Sequence, residues 1–252
     1  MDLNYKTWGS GPAVVILHGL FGSLDNWSTV AKSLSEQHTV YLLDLRNHGK
    51  SFHHNDFNYQ VMSEDVVRWS DQHQIEDFVL VGHSMGGKVA MNLALLQAQR
   101  LNKLVVVDIG PKAYPVHHQT LIEGMFALDL NTNSRQQADD QLKAWVPEFG
   151  VRQFLLKNLK RAESGGFEWK INLPIIAQQI ESVGEALPSG QINIPTLFMR
   201  GDRSSYILND DTEDIQRQFP QATFTTVADA GHWVHAENPQ QFLSTLQDFI
   251  KS

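Results

Sequence analysis

Residues 78–96 read FVLVGHSMGGKVAMNLALL. The run Phe78 to Val81 is short, continuous and apolar, bounded by Gly82. Beyond Gly87 the pattern changes: Val89, Leu93 and Leu96 fall at i, i+4 and i+7, and Met91, Ala94 and Leu95 widen that stripe. A helix apolar over so much of its circumference is a buried one. A strand that does not alternate is covered on both faces, as in a parallel sheet. The same kind of run recurs at Val14 to Leu17, Val40 to Leu43, Leu104 to Val107 and Thr196 to Met199. A sixth, Thr223 to Val227, is more polar and is expected near an edge. Strands alternating with helical patterns predict a doubly wound α/β sheet, mostly parallel.

The alternation stops between Pro111 and Pro195. Helical patterns at Leu121 to Leu128, Arg135 to Trp145, Val151 to Leu159 and Ile175 to Val183 are not separated by any buried parallel strand, and the Gly165-Gly166 pair reads as a turn. The expected organisation is a core domain of residues 1–110 and 195–252, with residues 111–194 forming a helical cap inserted between two strands.

Charge and composition remove several classes of function. With 20 Lys and Arg against 28 Asp and Glu, the net charge is −8, the wrong sign for a nucleic-acid scaffold, and no basic run suggests a membrane tether. The absence of cysteine excludes disulfides, thiolate metal sites and a cysteine nucleophile. Met1 to Trp8 has neither the basic nor the apolar region of a signal peptide, and no stretch approaches eighteen consecutive apolar residues. A cytoplasmic protein without an obligate protein partner is expected.

In open parallel sheets the site lies beyond the carboxyl ends of the strands. The residues there are His18-Gly19, Asp44, Gly82 to Gly86, Asp108, Arg200-Gly201-Asp202 and, a little further on, Gly231-His232. Gly82-His83-Ser84-Met85-Gly86 matches Gly-x-Ser-x-Gly, which chance alone produces in roughly one chain of this length in ten. Its specificity comes from the strand that enters it and the helix that leaves it, the context of a nucleophile elbow. A serine hydroxyl needs a base within hydrogen-bond reach, and His232, in a loop before the terminal helical pattern Pro239 to Ile250, fits the chain order serine, acid, histidine. His83 is read as packing. The pairs His53-His54 and His117-His118 are adjacent and so are expected to project in different directions, and no metal site is expected. The turn His18 to Gly22 can aim the Leu20 amide at the same point as the Met85 amide, giving two donors for a tetrahedral oxyanion.

His18 to Gly22, Asp44 to Gly49, Gly82 to Gly87 and Gly231 to Pro239 together resemble the α/β-hydrolase superfamily over nearly the whole chain. Asp44-Leu45-Arg46-Asn47-His48-Gly49 combined with Val107-Asp108-Ile109-Gly110-Pro111 is similar to the bacterial YbfF-type esterases. The resemblance implies the α/β-hydrolase fold and hydrolysis of small-molecule carboxylic esters or acyl-CoA thioesters without a cofactor. In the superfamily's commoner pattern the acid follows the penultimate strand as Gly-x-x-Asp, but that frame reads Gly201-Asp202-Arg203-Ser204 here. The acid is therefore either Asp108, which ends the fourth apolar run and is favoured, or Asp202 in a shifted loop. Asp44 corresponds to a structural loop.

The expected chemistry is ping-pong, through an acyl-serine formed at Ser84 with His232 as base and acid. Substrate contacts are expected from Phe21, Trp145 and Trp233, and more generally from the insertion's apolar set Phe126, Leu128, Trp145, Phe149, Phe154, Leu155, Phe167 and Trp169. Residues 151–170 carry Arg152, Lys157, Lys160, Arg161 and Lys170 against Glu163 and Glu168. Such a rim could draw the phosphates of coenzyme A; a solvated helix face explains it as simply. Two other readings stay open: a lyase or carbon–carbon bond hydrolase using the same residues for proton transfer, and a non-catalytic ligand-binding descendant.

Overall fold

The computed structural model describes residues 2–252; of the N-terminal segment read above, Met1 lies outside them. The chain runs through β1 (Tyr5–Trp8), β2 (Ala13–Leu17), α1 (Ser28–Leu34), β3 (Thr39–Leu43), α2 (Tyr59–Gln72), β4 (Phe78–His83), α3 (Met85–Gln97) and β5 (Leu101–Val107). It then leaves the main sheet for α4 (Gln119–Ala127), α5 (Arg135–Leu142), α6 (Phe149–Leu156), a hairpin of β6 (Leu159–Arg161) and β7 (Phe167–Trp169), and α7 (Leu173–Gln178). It returns as β8 (Thr196–Gly201), α8 (Thr212–Gln218), β9 (Ala222–Val227), α9 (Val234–Glu237) and α10 (Pro239–Lys251). The sheet order is β1-β3-β2-β4-β5-β8-β9, parallel throughout except where β1 meets β3.

Each of the six apolar runs is a strand of this sheet, and the doubly wound, mostly parallel α/β architecture expected from them holds. Residues of one run alternate between two cores. Val15, Leu17, Leu80 and Val106 pack with Trp69 of α2 and Val89 and Leu93 of α3. Val14, Ile16, Val79, Val81, Val105 and Val107 pack with Val30 and Leu34 of α1 and Phe242 and Leu246 of α10. Each such side chain contributes about 1.5–3 kcal/mol on leaving water, so a strand covered on both faces has no place for a polar residue. β9 lies at one edge, as its polarity suggested. At the other, β1 is a strand that the apolar runs did not reveal: Tyr-Lys-Thr-Trp is short and mostly exposed, and it is held by backbone pairing to β3.

The hairpin β6–β7 was not expected either. Its strands are three residues each, too short for a periodic signal. Gly165 and Gly166, both at positive φ, make its turn. Helix starts follow local rules: the side chains of Asn58, Ser134 and Asn238 cap α2, α5 and α10. No helix among the described residues is long and apolar enough to cross a membrane.

From the neighbouring strands β2 and β4 the chain winds in opposite directions, β3 lying beyond β2 and β5 beyond β4. The carboxyl ends of β2 and β4 therefore flank the crevice where such sheets bind their ligands. The turns 18–22 and 82–86 sit there.

Candidate active site

Ser84 bridges β4 and α3 with φ 52° and ψ −120°, a conformation that costs a non-glycine residue roughly 1–3 kcal/mol. The surrounding backbone enforces it: the Ser84 amide donates to the Val107 carbonyl at 3.0 Å, and the Ser84 carbonyl accepts from the Lys88 amide at 3.0 Å. A Cβ at Gly86 would lie 2.5 Å from the His18 carbonyl oxygen and 2.6 Å from that of Leu17, so only glycine lets α3 start so close to β2. The Ser84 side chain lines a cleft.

Asp108 follows β5, fully buried, with φ 52°. It accepts from His232 Nδ1–H at 2.8 Å, from Ser204 Oγ–H at 2.5 Å and from the Gly201 amide at 3.2 Å. Three donors compensate a buried carboxylate for lost water. The proton on Nδ1 leaves His232 Nε2 with a free lone pair. His83, read from sequence as packing, also holds this loop: its Nε2–H donates to the His232 carbonyl at 2.8 Å. Burial, then the proximity of His232 and His235, pulls the His83 pKa well below the ordinary histidine value. The Tyr206 ring stacks on the His232 ring with centroids 4.1 Å apart. Asp202 lies on the surface, where Oδ1 accepts the Ala230 amide at 3.0 Å, and makes no hydrogen bond to His232 among the described residues. Of the two carboxylates left open by the sequence, Asp108 is the one brought to the imidazole, and Ser204, in the slot the commoner pattern gives to aspartate, donates to it.

The turn after β2 is closed by the Gly22 amide donating to the Gly19 carbonyl at 2.9 Å. Phe21 within it takes φ 58°, and its amide donates to His48 Nε2 at 3.2 Å while His48 Nδ1–H reaches the Arg46 carbonyl at 3.0 Å. His18 is arranged likewise, accepting from the Leu45 amide at 3.0 Å and donating to the Gly19 carbonyl at 2.8 Å. Burial lowers His18 to about 4 and His48 to about 3, so both stay neutral and each keeps one acceptor nitrogen. Asp44 takes the amides of Leu24 and Lys50 and the Asn4 side chain, a structural knot as expected. Leu20, Ser84 and Met85 line the same cleft. Met85, first in α3, has no intrahelical acceptor for its amide, and the Leu20 amide donates to none of the described residues.

The cleft is open to solvent and is bounded further by Tyr59, Ile109, Tyr114, His118 and Tyr206. None of the three expected substrate contacts lines it. Phe21 is buried in the turn. Trp145 packs its side chain over Gly124 of α4, and Trp233 faces Phe154, ring centroids 5.5 Å apart. The insertion's apolar set is placed elsewhere: Leu128 and Phe167 join Leu142, Leu156 and Leu159 in a small core of their own, Leu155 joins the main core, and Phe126 and Phe149 are exposed. The stems of the insertion line the cleft in their place. Tyr59, Tyr114 and Tyr206 carry no sequence signal, since each comes from a loop or helix end.

Two further expectations change. The His117 and His118 rings do not diverge but stack, centroids 4.8 Å apart; no cluster that could hold a metal occurs among the described residues. In the basic stretch, Arg152 is buried and paired with Asp139 at 2.8 Å, and Lys160 pairs with Glu168 at 3.1 Å, which weakens the case for a phosphate-binding rim.

Residues 12–162 match the alpha/beta hydrolase fold family. The sn-1-specific diacylglycerol lipase ABHD11 of Danio rerio is 41% identical over 264 residues, covering 100% of this chain and 83% of that protein. Esterase YbfF of Escherichia coli (strain K12) is 37% identical over 241 residues, 94% of this chain and 92% of that one. Among solved structures, a marine microorganism esterase superposes with a TM-score of 0.96 at 35% identity, covering 98% of this chain and 99% of that chain.

Proposed function

The chain belongs to the α/β-hydrolase family and is an ester hydrolase of it, and from that premise we propose that Ser84, His232 and Asp108 form its catalytic triad, with the Leu20 and Met85 amides as oxyanion donors. The observation that carries the assignment is the 2.8 Å bond from His232 Nδ1 to the buried Asp108 carboxylate. It fixes the tautomer whose Nε2 can accept the serine proton.

As the acyl group seats, Ser84 Oγ comes within reach of Nε2, a hydrogen bond that commonly tightens only with substrate present. Oγ attacks the ester carbonyl carbon, its proton passing to His232. The carbonyl oxygen, now negative, lies between the Leu20 and Met85 amides; each such donor is worth roughly 2.7–4 kcal/mol of barrier. Collapse breaks the carbon–oxygen bond to the alcohol, which departs with the proton from His232. Water, losing a proton to the same imidazole, then hydrolyses the acyl-serine and releases the carboxylic acid. The Asp108 carboxylate stabilises the imidazolium in both halves.

Residues 111–194 are read as a cap over this site. A cleft walled closely by Tyr59, Tyr114 and Tyr206 favours esters with short or medium acyl groups. Acyl-CoA thioesters are the finer alternative; equal salt dependence of kcat/KM for an acyl-CoA and a neutral ester would remove them.

Asp108→Asn, Asp202→Asn and Ser204→Ala, assayed side by side on a short-chain ester, test the triad. Asp108→Asn is expected to lose about 10⁴ in kcat, Ser204→Ala about tenfold through a less firmly held carboxylate, and Asp202→Asn little. An inactive Asp202→Asn beside a nearly intact Asp108→Asn would reverse the choice of acid. Failure of a fluorophosphonate to label Ser84 would point to proton-transfer chemistry without an acyl-enzyme.

A further inference from the structure

The oxyanion turn is touched by one residue from the far side of the chain. Asn158, buried between α6 and β6, donates from Nδ2 to the Phe21 carbonyl at 2.7 Å and to the Leu155 carbonyl at 3.2 Å. Both partners are acceptors, so chemistry alone decides which end of the amide faces them. The backbone of Asn158 is itself fixed, its carbonyl accepting from the Lys170 amide at 2.8 Å.

Phe21 is therefore held on both sides: its N–H by His48 of the core and its C=O by Asn158 of the insertion. It needs holding. At φ 58° a phenylalanine occupies a turn position that glycine fills without strain, and its relaxed alternative is a peptide flip to negative φ. Strained backbone persists only where its surroundings over-determine it. The flip would rotate the Leu20–Phe21 peptide, which adjoins the peptide that carries the Leu20 amide.

We propose that Asn158 is a positioning residue for the oxyanion hole: its bond to the Phe21 carbonyl keeps the turn 19–22 in the conformation that aims the Leu20 amide at the reacting carbonyl oxygen. The inference rests on the reading of Leu20 as an oxyanion donor. It makes the catalytic electrostatics of the core depend on a side chain supplied by the insertion, so that stabilisation of the transition state requires the insertion to be docked at this point.

The test compares Asn158→Ala and the isosteric Asn158→Asp, which sets an acceptor against the carbonyl, with Asn172→Ala. Asn172 also joins the insertion to the core, donating from Nδ2 to Asn47 Oδ1 at 3.2 Å, but makes no hydrogen bond to residues 19–22 among the described residues. For each variant kcat and KM on a short-chain ester are measured, with the affinity of a trifluoromethyl ketone whose hemiketal oxyanion needs the same donors. A misaimed donor costs kcat rather than KM. Both Asn158 variants are expected to lose about ten- to a hundredfold in kcat, with KM within about twofold and the ketone weakened in proportion; Asn172→Ala keeps its kcat. The proposal is overturned if the Asn158 variants keep kcat within about twofold, or lose it without weakening the ketone, or if Asn172→Ala loses as much. A wild-type chain that hydrolyses the ester but does not bind the ketone more tightly than the matching methyl ketone would instead remove the oxyanion reading itself.

Discussion

Three residues at the site, Phe21, Ser84 and Asp108, have positive φ although none is glycine. At Ser84 the reason is geometric: the hydroxyl must stand off the strand end while the chain turns at once into α3. If that strain is stored, its removal should show as stability. Ser84→Gly, which accepts the same backbone angles without a Cβ, is expected to abolish fluorophosphonate labelling and to raise Tm by about 2–4 °C, the equivalent of about 1 kcal/mol in a chain of this size. Ser84→Ala keeps the Cβ and should gain little. Calorimetry showing Ser84→Gly less stable than Ser84→Ala would refute stored strain at the elbow. The motif made Ser84 legible because glycine spacing is a local signal. Phe21 gave no such sign, since the need for glycine there is overridden by two distant hydrogen bonds.

At the scale of elements, α3 does more than present the serine. Lys88, one turn along, is buried and donates from Nζ to the carbonyls of Pro111, Lys112 and Glu185 at 3.1, 2.5 and 2.8 Å, with the Tyr114 ring centroid 5.2 Å away. Pro111 and Lys112 lie where the chain leaves the core and Glu185 where it comes back, so one ammonium ties both stems of the insertion to α3. Burial alone lowers its pKa to about 7; three carbonyls accepting from it favour the charged form. Lys88→Met preserves the stem but strands three acceptors, at about 1–3 kcal/mol for each left unpaired. A clear fall in Tm and a higher KM for esters are expected, with labelling of Ser84 retained. An unchanged Tm would show that the stems are held by other contacts. A lysine inside an apolar helical stripe is visible in the sequence, but its partners, 23 to 97 residues away, are not. The strands divide similarly: those covered on both faces announce themselves by composition, whereas β1, β6 and β7 depend on backbone pairing that any residue can supply.

For the molecule as a whole, buried neutral histidines set the response to acid. Burial lowers His18 and His118 to about 4 and His48 and His235 to about 3, against about 6.5 in the unfolded chain. Between those values the unfolded state binds more protons, so stability falls as pH drops below about 6.5 and stops responding to these groups only below their folded values. Urea midpoints should accordingly decline steadily from pH 7 to pH 5; a flat profile over that range would contradict neutral burial. His48 adds a functional edge, since protonation would cost Phe21 its acceptor. What the sequence by itself determined is the succession of the six apolar strands, the turn that presents Ser84, and the strand ends where chemistry-bearing residues gather. These are written in apolar periodicity and glycine spacing, which act over a few residues. Only the tertiary structure decided that Asp108 rather than Asp202 meets His232, that Ser204 donates to that carboxylate, that the cleft is walled by the stems of the insertion instead of its aromatics, and that Asn158 reaches the turn after β2. Each is a contact between residues far apart in the chain, and its geometry exists only once the sheet has set where its strands end.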